Sequence, residues 1–195
     1  MSISLRIGLL AGCAALLLGG GAEASPIDYI FTGTGTGTLN GTAFNGSFTV
    51  TEVADTANIT FSGGEYANVS STATFVSGAL TASLTGVLNE TLDNTAAPGF
   101  MGFGQAQSAS PFFADESLTN SLFETYNLAT PLPLTTGGLS VAPATYFTNV
   151  GDLTFATITA LSVTVTPAVP EPMSLALLGT ALAGFGLLRR RRGAT

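Results

Sequence analysis

The chain has 195 residues and a formal charge of −7, from 12 acidic and 5 basic residues, with no His and one Cys. The basic residues are Arg6 and the block Arg189, Arg190, Arg191 and Arg192, so the stretch from Ser25 to Val169 holds 10 carboxylates and no Lys or Arg. Such a stretch cannot neutralise phosphates, which excludes ordinary nucleic-acid binding. The missing His and the lone thiol at Cys13 exclude Ser-His-Asp and Cys-His catalysis and His- or Cys-ligated zinc.

The N-terminus reads as a secretory signal, residues 1–24. Arg6 precedes an apolar run from Ile7 to Leu18, Gly19-Gly20-Gly21 breaks the helix, and Ala22-Glu23-Ala24 fits the small-x-small rule. Cleavage is expected between Ala24 and Ser25. Twelve apolar residues reach about 18 Å as helix, too short for a bilayer core of roughly 30 Å, which argues against an uncleaved anchor. Leu10-Ala11-Gly12-Cys13 resembles a bacterial lipobox, but its short apolar lead makes an awkward signal; otherwise Cys13 leaves with the signal and the mature chain has no disulfide.

The stretch from Ser25 to Ala168 is predicted to be one exported β domain. Thr supplies 27 residues between Ser25 and Val169, and period-two alternation recurs. The Thr32-Gly33-Thr34-Gly35-Thr36-Gly37-Thr38 repeat leaves one face bare, as an edge strand or one closely approached by another backbone; a flexible linker is the alternative. Phe48 and Val50 share a face, as do Ile59 and Phe61. Leu80, Ala82, Leu84 and Leu88 line another. The longest run puts Leu153, Phe155, Thr157, Thr159, Leu161, Val163 and Val165 on one face, opposite Thr154, Ala156, Ile158, Ala160, Ser162 and Thr164. Asn40-Gly41, Asn45-Gly46, Gly63-Gly64, Pro98-Gly99 and Gly137-Gly138 are turn dipeptides. Ala96 to Ala114 is predicted as irregular loops pinned by Phe100, Phe103, Phe112 and Phe113. Asp115 to Asn127 forms either one or two helical turns, with Leu118, Leu122 and Phe123 on a stripe, or strand and loop. Together these pieces predict an all-β, antiparallel, jelly-roll-like β-sandwich of about 8–10 strands, flanked by a signal helix and a C-terminal transmembrane helix.

The C-terminus carries Val169-Pro170-Glu171-Pro172, then the apolar run Met173 to Leu188, then Arg189 to Arg192, and a tail of residues 193–195. Sixteen helical residues cover about 24 Å, slightly short for a span, and arginines at that end stay cytoplasmic by the positive-inside rule. Both ends therefore predict a middle outside and an extreme C-terminus inside. The order Pro-Glu-Pro, apolar helix, arginine cluster over residues 169–192 resembles the PEP-CTERM sorting signal of Gram-negative bacteria. The resemblance implies an exported, inner-membrane-anchored precursor whose Pro170, Glu171 and Pro172 are the substrate of an exosortase, a membrane-embedded Cys protease or transpeptidase. It further implies release to the cell surface or medium and association with extracellular polysaccharide and biofilm. The segment FTGTGTGTLNGTAFNGSFTVTEVADTANI and the Gly151-Asp152-Leu153-Thr154-Phe155 strand also resemble ectodomains of such proteins, with no activity attached.

Candidate chemistry is sparse. Paired carboxylates for glycoside hydrolysis would come from Asp115, Glu116 and Glu124, or from Asp93 with Glu90. Tyr29, Tyr66, Tyr126 and Tyr146 could stack on sugar rings in a carbohydrate-binding module. No catalytic, cofactor-binding or metal residue is assigned; a structural calcium ion on dispersed oxygens, with Asp93-Asn94 and Asp115-Glu116 as the tight clusters, is the cofactor left open. Asn-x-Ser/Thr triplets at Asn40, Asn45, Asn58, Asn68 and Asn89 follow from a Thr-rich composition. The reading is a non-enzymatic exported protein, structural or adhesive, with no nucleic-acid partner.

Overall fold

The computed structural model describes residues 25–106, 116–141 and 144–167. Both targeting ends lie outside the described residues: Cys13, Ala24, the helix expected over 173–188, Pro170 to Pro172 and Arg189 to Arg192. Within the described residues the chain forms twelve strands. These are β1 (Pro26–Leu39), β2 (Thr42–Asp55), β3 (Thr60–Ser62), β4 (Glu65–Ser77), β5 (Leu80–Leu84), β6 (Val87–Asp93), β7 (Phe100–Ala106), β8 (Glu116–Thr119), β9 (Leu132–Thr136), β10 (Gly138–Val141), β11 (Thr145–Thr148) and β12 (Gly151–Pro167). Every pairing is antiparallel. The expected all-β antiparallel class holds. The count exceeds the expected 8–10 strands, and all twelve belong to one hydrogen-bonded sheet.

That sheet wraps around its own core because two long strands fork. The C-terminal half of β4 pairs β5 through Ala73–Ser77, and its N-terminal half pairs β6 through Glu65–Ser70. β12 pairs β11 near Leu153 and β9 near Val163. Between the forks, β1 and β2 form the front wall. At one end the ring closes through β5 and β11, with Thr148 opposite Leu84 and backbone bonds Thr85 N–Phe147 O (2.8 Å) and Asn149 N–Ser83 O (2.9 Å). At the other end the back wall is β6-β7-β8-β10. The Gln105 side chain of β7 joins the two: it accepts from Phe147 N (2.6 Å) and donates to the carbonyls of Phe147 and Thr85.

Aromatic rings fill the closed end. Phe155 packs against Phe44, Phe48, Phe75 and Tyr146 with centroids 4.9–6.0 Å away. Each such pair adds about 0.5–1.5 kcal/mol beyond its area burial. Phe48 and Val50 share the inner face as expected.

The Thr-Gly repeat is a central strand, bonded on both sides, and not an edge. Its glycines face inward beside Tyr29, Phe31 and Leu39, while its threonines face out. A Cβ on Gly37 would strike the Phe44 ring and the Thr154 carbonyl; one on Gly35 would strike the Thr157 carbonyl. The expectation of close backbone approach is met. β12 carries two irregularities opposite this repeat, where its pairing skips Thr159 and then Ala156. Each extra residue reverses the facing of those that follow. Ile158 is therefore buried, and Thr157 and Thr159 are exposed, opposite to the strict alternation.

Of the other expectations, some hold and some are corrected. Asn40-Gly41 turns the β1–β2 hairpin with φ of 48° and 76°, the primed geometry that Asn-Gly favours. Asn45-Gly46, by contrast, lies inside β2 opposite Gly35 and Thr36. Gly137 separates β9 from β10 without reversing the chain into a hairpin, since the two strands pair with β12 and β8. Ile59 precedes the short edge strand β3, on which Phe61 is 59% exposed. The LTASLTGVL run breaks at Thr85-Gly86 into β5 and β6. Phe100 and Phe103 belong to strand β7 rather than a loop; Phe112 and Phe113 lie outside the described residues. The 116–127 segment is β8 followed by a 3-10 turn over Ser121–Thr125, which buries Leu118 and Phe123 and exposes Leu122.

Substituting Ala at Gly35 or Gly37 is expected to cost about 1–3 kcal/mol by overpacking. Thr34→Val, on the exposed face of the same strand, is expected to stay within about 0.5 kcal/mol. Phe155→Ala is expected to cost about 3–5 kcal/mol. Urea unfolding of the four variants measures all three.

Candidate functional site

The interior changes character toward the β6-β7-β8-β10 wall. Inward positions there carry polar groups: Tyr29 on β1, Glu52 on β2, Asn68 and Ser70 on β4, Glu90 on β6 and Glu116 on β8. Strand register sets the row, with Asn68 opposite Glu90, Glu90 opposite Phe103, and Phe103 opposite Glu116. All three glutamates are fully buried. The Tyr29 hydroxyl donates to the Leu128 carbonyl (2.8 Å) and accepts from Asn68 Nδ2 (2.8 Å). Ser70 Oγ donates to Glu52 Oε2 at 2.6 Å. Glu52 Oε1, Asn68 Oδ1 and both oxygens of Glu90 have no hydrogen-bond partner.

No Lys, Arg or His lies in this stretch to offset a buried carboxylate. Burial pushes the Glu52 carboxyl up to about 7, against the opposing bond from Ser70. Burial, and then the Glu52 charge, hold Glu90 well above the usual carboxylate range. Burial also raises the Tyr29 and Tyr126 phenols, and neighbouring Glu90 adds to both shifts.

Among the described residues, the carboxylates weighed for hydrolysis do not face a common opening. Glu90 is buried, whereas Asp93 ends β6 and caps a turn, accepting from Thr95 N and Oγ1 (both 2.7 Å) and Ala96 N (3.2 Å). Burial opposes those three bonds, but they prevail and lower its carboxyl. Glu116 is buried and Glu124 exposed; Asp115 lies outside the described residues. No three His, Cys, Asp or Glu side chains converge to hold a metal among the described residues. The four tyrosines form no sugar platform: Tyr29, Tyr126 and Tyr146 are buried, and Tyr66 is half-buried beneath Phe61 with centroids 4.5 Å apart. Asn68 and Asn89 are buried, while Asn40, Asn45 and Asn58 are exposed.

Sequence reasoning missed Glu52, Asn68 and Ser70. The signal for Glu52 was present, because it alternates in phase with Phe48, Val50 and Ala54. Glu90 likewise sits in phase with Leu88 and Leu92.

The outer surface of the front wall is different. Thr32, Thr34, Thr72, Thr74, Thr157 and Thr159 are exposed there, and the Thr36 and Thr157 hydroxyls meet at 2.8 Å. Two open grooves meet at Ser47. One, of about 490 Å³, lies between Thr42–Ser47 and Ser77–Leu80. The other, of about 210 Å³, crosses Thr32, Thr34, Thr136 and Ser162. Neither is lined by a charged residue.

The buried Glu52 carboxyl makes stability pH-dependent with a defined sign. Between 4.5, its ordinary value, and about 7, the folded chain holds a proton that the unfolded chain has lost. Stability is therefore expected to fall as pH rises through that window, by at most about 1.4 kcal/mol per pH unit for one carboxyl. Glu52→Gln is expected to remove the share of this slope that Glu52 contributes and to leave that of Glu90, as measured by urea unfolding across the window.

No helix among the described residues is long and apolar enough to cross a membrane. No curated protein and no solved structure matches the chain. The family model for the PEP-CTERM protein-sorting motif matches residues 168–192, which contain Pro170, Glu171, Pro172, the apolar run and the arginine cluster. The motif marks an exported protein that is sorted by an exosortase, held first as a membrane-anchored precursor and then passed to the surface. Over those residues, the chain carries a PEP-CTERM protein-sorting motif.

Proposed function

We propose that the described domain is a non-enzymatic structural or adhesive component of the cell surface or of the extracellular polysaccharide matrix. The observation that carries this reading is the sorting motif at residues 168–192. The domain attached to it supports the same reading. Its interior is closed at the aromatic end by its own strand pairing, and its front wall offers hydroxyls and methyls, with the carboxylates Asp28 and Asp55 kept to one end of β1 and β2. Uncharged grooves suit neutral polyhydroxyl chains, whereas ten carboxylates and no base repel acidic polymers. The role invokes no cofactor. On this reading the signal peptide is cut between Ala24 and Ser25, and the 173–188 helix and Arg189 to Arg192 hold the precursor until the exosortase acts.

A carbohydrate-binding module is the second reading. It rests on the Phe61–Tyr66 pair, whose outer ring is 59% exposed. An exposed aromatic face is the usual platform for a sugar ring.

Mass spectrometry of the mature termini, from cells and from medium, tests the first reading. A chain starting at Ser25 and ending near Pro170 to Pro172 is expected. A chain that keeps Arg189 to Arg192 would reduce the tail to a simple anchor. Glycan-panel binding by the wild type and Phe61→Ala tests the second: binding lost at least about tenfold in the variant, roughly 1.4 kcal/mol, supports it, and no wild-type binding removes it.

A further inference from the structure

Glu52 and Glu90 stand on the strands either side of β4, and Glu116 stands on β8, beside the margin where the closed sheet is least tied together. At the aromatic end the ring closes by backbone hydrogen bonds from β4 to β5, β5 to β11 and β11 to β12. At the acidic end, β10 pairs β8 but has no ladder to β9 or β12 among the described residues. There the wall reaches β12 through chain continuity at Gly137 and side-by-side packing. β8 and β10 are four residues each. The opposite margin of this wall is firmly held, by six register pairs between β4 and β6 and by Gln105 on Phe147.

We propose that Glu52 and Glu90 form a proton-operated latch: while both carry protons the β6-β7-β8 wall stays closed on β1 and β2, and losing them opens that wall while the aromatic end stays intact. The groups packed around Glu90 leave no other way to absorb its charge. β1 presents Tyr29, β2 presents Glu52, β4 presents Asn68 and Ser70, β7 presents Phe103, β8 presents Glu116, and Tyr126 follows the 3-10 turn. Every titratable member of that set is an acid or a phenol, and no Lys, Arg or His stands in the stretch. Each ionisation therefore adds like charge to a dry interior, where an uncompensated charge is strongly unfavourable. Glu52 ionises first, because Ser70 supports its charged form, and its charge then opposes ionisation of Glu90, neither of whose oxygens has a partner. Water reaches these groups by parting the wall at its weakest margin, the β8–β10 side. Sorting to the outside exposes the domain to ambient pH, so the latch would report the surroundings rather than the cytoplasm.

Hydrogen exchange tests the latch on the full chain in mild detergent, at about pH 5 and about pH 9, corrected for intrinsic rates. Protection of residues 100–106, 116–119 and 138–141 is expected to fall at least about tenfold, while that of 44–50 and 153–158 changes by less than about twofold. Glu90→Gln and Glu52→Gln are each expected to remove most of the difference. Equal loss in both regions, no loss at all, or an undiminished difference in both variants would overturn the latch. If Glu90→Gln does not fold, Glu52→Gln alone decides between these outcomes.

Discussion

The pairing of β1 with β12 is the constraint on which the rest of the sheet depends. β1 is bonded along its whole length to β2 and β12, and its inner face is bare at Gly33, Gly35 and Gly37. The carbonyls of Ala160, Thr157 and Thr154 and the rings of Phe44 and Phe48 fill the space that side chains would take. The irregularities of β12 fall opposite the same glycines. Bulges sharpen twist and bend a strand, and bare glycines let neighbouring backbone come close enough to follow the bend. This curvature brings the two forked strands, β4 and β12, round to share the β5 and β11 closure.

Closure then sorts the interior into two chemistries. The β5–β11 end is packed with phenylalanines around Phe155. The β6–β10 end holds Glu52, Glu90 and Glu116, with Asn68 and Tyr29 threading hydrogen bonds between the walls. Without a disulfide in the described domain, and without a base to make an ion pair, apolar burial and backbone ladders carry its stability. The acidic end works against that stability whenever its carboxyls ionise. The same feature therefore weakens the fold and gives it a response to protons.

Much of the fold could be read from alternation. Alternation puts Phe48 and Val50 on one face, which the fold makes the inner one; Asn40-Gly41 reads as a turn, and the last strand reads as one long element. The failures have physical causes. Period two cannot register a bulge, so Ile158 and Thr157 exchanged faces. Asn45-Gly46 carries turn chemistry, but pairing with β1 holds it extended. The Phe100–Ala106 segment is too rich in glycine and small residues to look like a strand, yet β6 and β8 flank it on both sides. The acidic interior was half legible: Glu52 and Glu90 stand in phase with core residues, but their meeting depends on β4 lying between β2 and β6.

The sequence by itself determined destination and class. The sorting tail is a linear pattern of residues, legible in the chain before it folds. The Thr-rich alternation and the absence of bases likewise exist in the chain before it folds. Only the tertiary structure decided that the sheet closes, that the Thr-Gly repeat lies at its centre, and that glutamates from separate strands share one dry interior. Those outcomes come from pairings between strands far apart in sequence, such as β1 with β12. No local pattern contains them, because register and bulges are fixed only when the partner strands meet.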